Sequence, residues 1–147
     1  FALLLISGMI MRGEKIDTRR GLLWGAGGFI AFVLAPSLGL PPELPGMITS
    51  DILARQTWWI ATAVASIVGL WFLVFSEKIY YKIFAVIIAL TPHLVGAPHP
   101  EVLSANGVPP ELAAQFVTVS IAVGGLFWAL IGGFSGYFYE RLERTNS

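Results

Sequence analysis

The chain has 147 residues, of which 56% are hydrophobic and 12% charged, and Lys+Arg 9 balance Asp+Glu 9. A soluble domain carries about twice that charged fraction, so the composition excludes a disordered chain, a coiled coil and an ordinary water-soluble enzyme. The balanced charge leaves no basic footprint for nucleic acid, and the absence of Cys removes disulfide frameworks, thiolate metal sites and iron–sulfur clusters together. With a mean hydropathy of +0.75, what remains is a polytopic membrane protein.

Phe1 leads straight into an apolar run that ends at Met11, with no initiator Met and no basic flank, which does not read as a signal peptide. Eleven helical residues rise about 16 Å against a hydrocarbon core of about 30 Å. The chain is therefore expected to start partway through a transmembrane helix of a longer natural protein. Four further blocks are long enough to cross: residues 21–38, 57–75, 79–96 and 116–139. Their only charge is Lys82, one turn into the third block, where it can snorkel to the interface. The expected fold is all-α: a transmembrane helix bundle of four complete spans plus a partial N-terminal span, in one integral membrane domain over residues 1–147.

The loop charges set an orientation. Arg12, Lys15, Arg19, Arg20, Lys78, Lys82, Arg141 and Arg144 fall on one side, and Arg55 alone falls in the opposite loops, 40–56 and 97–115. By the positive-inside rule the first and third connections and the C-terminus are cytoplasmic, and the two long Pro-rich loops are external. This is then a multi-pass protein with its C-terminus inside. Trp58 and Trp59 at an outer end, with Tyr80, Tyr81, Tyr137 and Tyr139 at inner ends, read as headgroup-level belts.

Small residues recur on the helices. Gly132-x-x-x-Gly136 is a close-packing signature for a helix contact, internal or with another subunit. Pro36 and Pro92 are expected to kink or terminate their helices, the latter near Thr91. Pro41-Pro42-Glu43-Leu44 and Pro109-Pro110-Glu111-Leu112 recur in the two external loops. Each could start a short helix whose macrodipole favours the acid, or could serve cation attraction instead.

No P-loop, metalloprotease motif or Ser/His/Asp order occurs, and the spans carry no carboxylate, which excludes ATP-driven work by this chain alone. The chemistry-bearing stretch is Thr91-Pro92-His93-Leu94-Val95-Gly96-Ala97-Pro98-His99-Pro100-Glu101, which holds both histidines. Neutral imidazole suits Co²⁺, Ni²⁺, Zn²⁺ and Cu²⁺, and carboxylates can complete such a shell. Glu43, Asp51, Glu101 and Glu111 against Arg55 make the external side acidic, which concentrates cations. The plainer account also stands: His93 and His99 are not an i, i+4 pair, and an interfacial His beside a proline can simply satisfy a loose carbonyl.

Longer motifs point to a family. Arg19-Arg20-Gly21-Leu22-Leu23-Trp24-Gly25-Ala26-Gly27-Gly28-Phe29 is followed by Leu34-Ala35-Pro36-Ser37-Leu38-Gly39-Leu40-Pro41-Pro42-Glu43-Leu44-Pro45-Gly46. Ala54-Arg55-Gln56-Thr57-Trp58-Trp59, Pro92-His93-Leu94-Val95-Gly96-Ala97-Pro98 and Val108-Pro109-Pro110-Glu111-Leu112-Ala113-Ala114-Gln115-Phe116 come next in order, with Leu126-Phe127-Trp128 and Ser135-Gly136-Tyr137 in the last helix. Across essentially the whole chain this resembles the probable cobalt transporter subunit family CbtA.

The resemblance implies a membrane subunit associated with cobalt uptake for cobalamin synthesis, not an enzyme, beside a small single-span, histidine-bearing CbtB partner. Cobalt is then cargo, with no tightly bound cofactor. His93, Glu43, Arg55 and Gln56 are the family-matched positions of interest, and His93, His99 and Glu43 the candidate metal ligands. Arg55 is expected to pair with Asp51 or Glu43, and a pair with Glu43 takes a ligand from the metal. The alternative is a structural accessory subunit of a larger membrane complex, packed on a partner through its glycine face. A membrane enzyme is a third reading that lacks an acid/base set.

Overall fold

A computed structural model describes residues 2–13, 15–45, 47, 50–99 and 108–146. Phe1, Gly46, Pro100 and Glu101, which enter the expectations above, lie outside the described residues. Every element among those described is helical: α1 (Ala2–Met11), α2 (Thr18–Phe29), a π-helical turn (Ile30–Leu34), α3 (Ala35–Ser37), α4 (Ile52–Phe75), α5 (Ile79–Val95) and α6 (Pro110–Asn146). Three helical runs, Thr18–Ser37, Ile52–Phe75 and Pro110–Thr145, are long and apolar enough to cross a membrane, and Ile79–Val95 is a shorter apolar helix. At most a third of each run's apolar window is covered by the rest of the chain. Ile60, Val64, Trp71, Val123 and Phe134 are among the many large apolar side chains left exposed. Surface of that extent is compatible with acyl chains rather than water.

The chain forms two compact units, one of Phe1–Phe29 with Ala122–Ser147 and one of Ile30–Ile121. In the first, α1 ends on Gly13, whose positive φ of 64° lets its N–H turn back to the Ile10 carbonyl at 2.9 Å. Asp17 caps α2, its carboxylate accepting the Arg20 N–H at 2.8 Å. The α2 backbone then lies directly on α6. A Cβ at Gly132 would stand 3.0 Å from the Gly25 Cα and overlap the Gly21 carbonyl, and one at Gly136 would stand 3.0 Å from the Thr18 Cα. Lipid supplies no hydrophobic drive between helices, so this close van der Waals approach is what holds them. The Gly132–Gly136 face is thus occupied within the chain. Trp128, only 2% exposed, packs under Gly28.

In the second unit the π-turn precedes Pro36. Proline lacks the N–H that would reach the Phe32 carbonyl, and its ring crowds that oxygen; widening the helix by one residue relieves the clash. The Ser37 hydroxyl donates to the Val33 carbonyl at 2.6 Å. Helix α4 starts at Ile52 rather than 57 because Asp51 caps it, accepting the Ala54 N–H at 2.9 Å. α4 and α5 form a hairpin joined by residues 76–78. A Cβ at Gly69 would meet the Ala85 carbonyl oxygen at 2.9 Å and the Ala89 Cβ at 3.1 Å. At the turn, Phe72 stacks on Tyr81 with centroids 5.6 Å apart and the Lys78 ammonium lies 5.7 Å from the Tyr80 ring centre.

Helix α5 does not stop at Thr91. It carries Pro92 inside its last turn and ends at Val95, where Gly96, with φ 91°, caps it and donates to the Pro92 carbonyl at 3.1 Å. It does not continue to His99. The two Pro-Pro-Glu-Leu segments also diverge: Pro110 opens α6 with Glu111 in its first turn, whereas residues 41–44 are not helical.

Candidate functional site

The loop end of the second unit gathers the singled-out residues around the first turns of α4. Trp58 is 8% exposed, so it is not the headgroup-facing ring expected of it. Its indole N–H donates to the Pro92 carbonyl at 3.1 Å, and its ring meets the His93 imidazole edge-on with centroids 5.5 Å apart. Gly39 presses on the same indole; a Cβ there would lie 2.7 Å from Trp58 Cζ2. The Thr62 hydroxyl donates to the Trp58 carbonyl at 2.9 Å. The following Trp59 turns away, tilted on Phe32 with centroids 6.1 Å apart. Pro92 and His93 are thereby fixed to α4 through one side chain.

One turn earlier, Arg55 forms an ion pair with Glu43, their side chains 23% and 24% exposed. Asp51 spends its carboxylate on the cap, which leaves Glu43 as the Arg55 partner among the two expected. Position 43 therefore stays in an irregular segment facing the helix. His99 is exposed and follows Pro98, whose carbonyl accepts the Ser50 hydroxyl at 3.0 Å, so the two loops are tied beside it.

Two hollows flank these turns of α4. One of about 590 Å³ is lined by Phe32, Pro36, Pro42, Arg55, Gln56 and Trp59 among others. The other, of about 620 Å³, is lined by Asp51, Ala54, Thr57, Trp58, Gly96 and Pro98 among others. Among the described residues no three His, Asp or Glu side chains converge into a group able to hold a metal. His93 and Glu43 are each brought to α4, through Trp58 and Arg55 respectively, and His99 stands on the adjoining loop. Chemically the site offers an imidazole, and a carboxylate already engaged by a guanidinium.

Sequence reasoning missed Trp58 as the organiser. No local signal marked it: adjacent helical residues point about 100° apart, yet neighbours such as Ile52 and Leu53 on the same helix are both exposed, so spacing alone does not say which tryptophan turns inward.

Long apolar helices, largely uncovered by the rest of the chain, with charge confined to their ends, define a multi-pass transmembrane protein. The chain matches the CbtA family, described as probable cobalt transporter subunit, over residues 1–140 of its 147 and belongs to that family. No curated protein and no solved structure matches it.

Proposed function

We propose that this chain is the membrane-embedded part of a cobalt uptake system that feeds cobalamin synthesis, and that it catches the ion at the loop end of α4 and α5. The observation that carries this reading is the pair of anchors on α4: Trp58 holds His93 and, one turn away, Arg55 holds Glu43. An ion must be caught before it crosses, and this end carries both histidines of the chain, His93 in the last turn of α5 and His99 in the loop after it. His93 is the proposed primary ligand, with His99 and Glu43 as further ligands brought in when metal arrives.

The topology that goes with this is one integral membrane domain of four complete spans plus the N-terminal helix, in a bacterial-type inner membrane with the C-terminus cytoplasmic. The 17 residues of α5 fall at the short end of the 17–25 or so that suffice to span. The eight-to-one split of Lys and Arg supports the orientation. The family designation as a subunit supports partner subunits in the bilayer, of which a single-span CbtB-like protein is the proposed one. A purely structural accessory role would dock a partner on the Gly132–Gly136 face, and that face is taken by α2.

The test is cobalt accumulation by cells expressing the His93→Ala variant or the parent chain at matched levels. We expect accumulation to fall about tenfold or more, since losing one ligand or its supporting contact costs that much affinity. Unchanged accumulation would leave His93 a structural residue.

A further inference from the structure

We propose that Arg55 is an internal competitor for the metal: its guanidinium occupies Glu43 until a divalent cation displaces it, and so sets which cations this carboxylate accepts. The inference rests on the reading of this end as the place of metal capture. Arg55 is the one Lys or Arg of the loops 40–56 and 97–115, and it sits on Glu43 one turn of α4 before Trp58, the residue that anchors His93. The pair is about a quarter exposed, in the regime where guanidinium–carboxylate pairs are weak enough to exchange. A fully buried pair would be locked by the cost of leaving either charge alone.

The displaced guanidinium has somewhere to go. Arg55 already borders the hollow of about 590 Å³ shared with Gln56, Pro36 and Pro42, so it can swing off Glu43 without unfolding the loop. The prolines at 41 and 42 restrict the backbone before Glu43, which keeps the carboxylate in place when its partner leaves.

Selectivity follows from charge. A hydrated monovalent ion gains too little from one carboxylate to displace a tethered guanidinium. A dication gains twice the Coulomb attraction, and one that also accepts imidazole gains more from His93. Mg²⁺, which dehydrates reluctantly and prefers oxygen, would be rejected while Arg55 is present and admitted when it is gone.

The experiment is equilibrium binding of Co²⁺ to the full chain in lipid nanodiscs, with and without excess Mg²⁺. Arg55→Gln is expected to bind Co²⁺ more tightly by up to about fivefold, the range an exchangeable ion pair supplies, and to become sensitive to Mg²⁺. The gain should vanish in the Glu43→Gln/Arg55→Gln double variant. Arg55→Lys, which keeps the charge but loses the planar fork, should fall between and serves if the Gln variant does not fold. If Arg55→Gln binds Co²⁺ no better while His93→Ala binds it worse, the competitor role is overturned and the capture site stands. If neither His93→Ala nor Glu43→Gln changes Co²⁺ binding, the capture site itself fails and the competitor role goes with it.

Discussion

Trp58 ties α4 to two other segments with one side chain: the Gly39 backbone under its ring, and the end of α5 through the Pro92 carbonyl on its N–H and the His93 imidazole at its edge. A Trp58→Phe substitution keeps most of the ring and removes the donor. We expect a loss of about 1 kcal/mol, the usual net worth of one such hydrogen bond, read as a lower thermal midpoint in detergent, together with weaker cobalt accumulation because His93 is less firmly held. A stability equal to that of the parent would show the N–H to be dispensable. At this scale the sequence was half legible. Asp51 stands just before an apolar helical run, which is a capping signal, and reading it as the cap would have left Glu43 for Arg55. The packing of Gly39 on Trp58 joins residues 19 apart in the chain, and no local pattern announces it.

Among the elements, α2 and α6 show how narrow the tolerance for a single methyl group is. Gly132→Ala drives a Cβ into the Gly21 carbonyl, and overpacking against backbone costs about 1–3 kcal/mol. Gly27 lies on the same α2 with open space around its missing Cβ, so Gly27→Ala should be neutral or stabilise by up to about 1 kcal/mol. Protease resistance of the two variants in nanodiscs checks the contrast, and equal resistance would contradict the packing. The Gly132-x-x-x-Gly136 signature was legible, and so was its partner in hindsight, since Gly21 and Gly25 repeat the same four-residue spacing. The fate of the two Pro-Pro-Glu-Leu segments was not. Pro110 nucleates a helix of 37 residues, while residues 41–44 stay irregular with Glu43 on Arg55, so the partner of the acid decides where four identical residues cannot.

For the whole molecule, the apolar blocks announced the long helices, while their ends moved. α6 reaches well beyond the expected 116–139 at both ends because Pro110 starts it early and the Glu140–Arg144 pair, one turn apart, supports its polar end. The proposed orientation makes a direct prediction. A thiol probe confined to the cell exterior should label a Glu111→Cys variant in intact cells and should label Ser147→Cys only after permeabilisation. The reverse pattern would overturn the orientation and place the histidines inside.

The unequal arms of the α4–α5 hairpin carry one more implication. From their shared turn, 24 residues of α4 climb about 36 Å, and 17 residues of α5 climb about 26 Å. The result is a step of about 10 Å, with the 620 Å³ hollow above the lower ledge. That space holds roughly twenty water molecules against Asp51, Ala54, Thr57 and Trp58, so over the shorter helix the first two turns of α4 can be wetted down to Trp58, where a helix of equal length would have covered them.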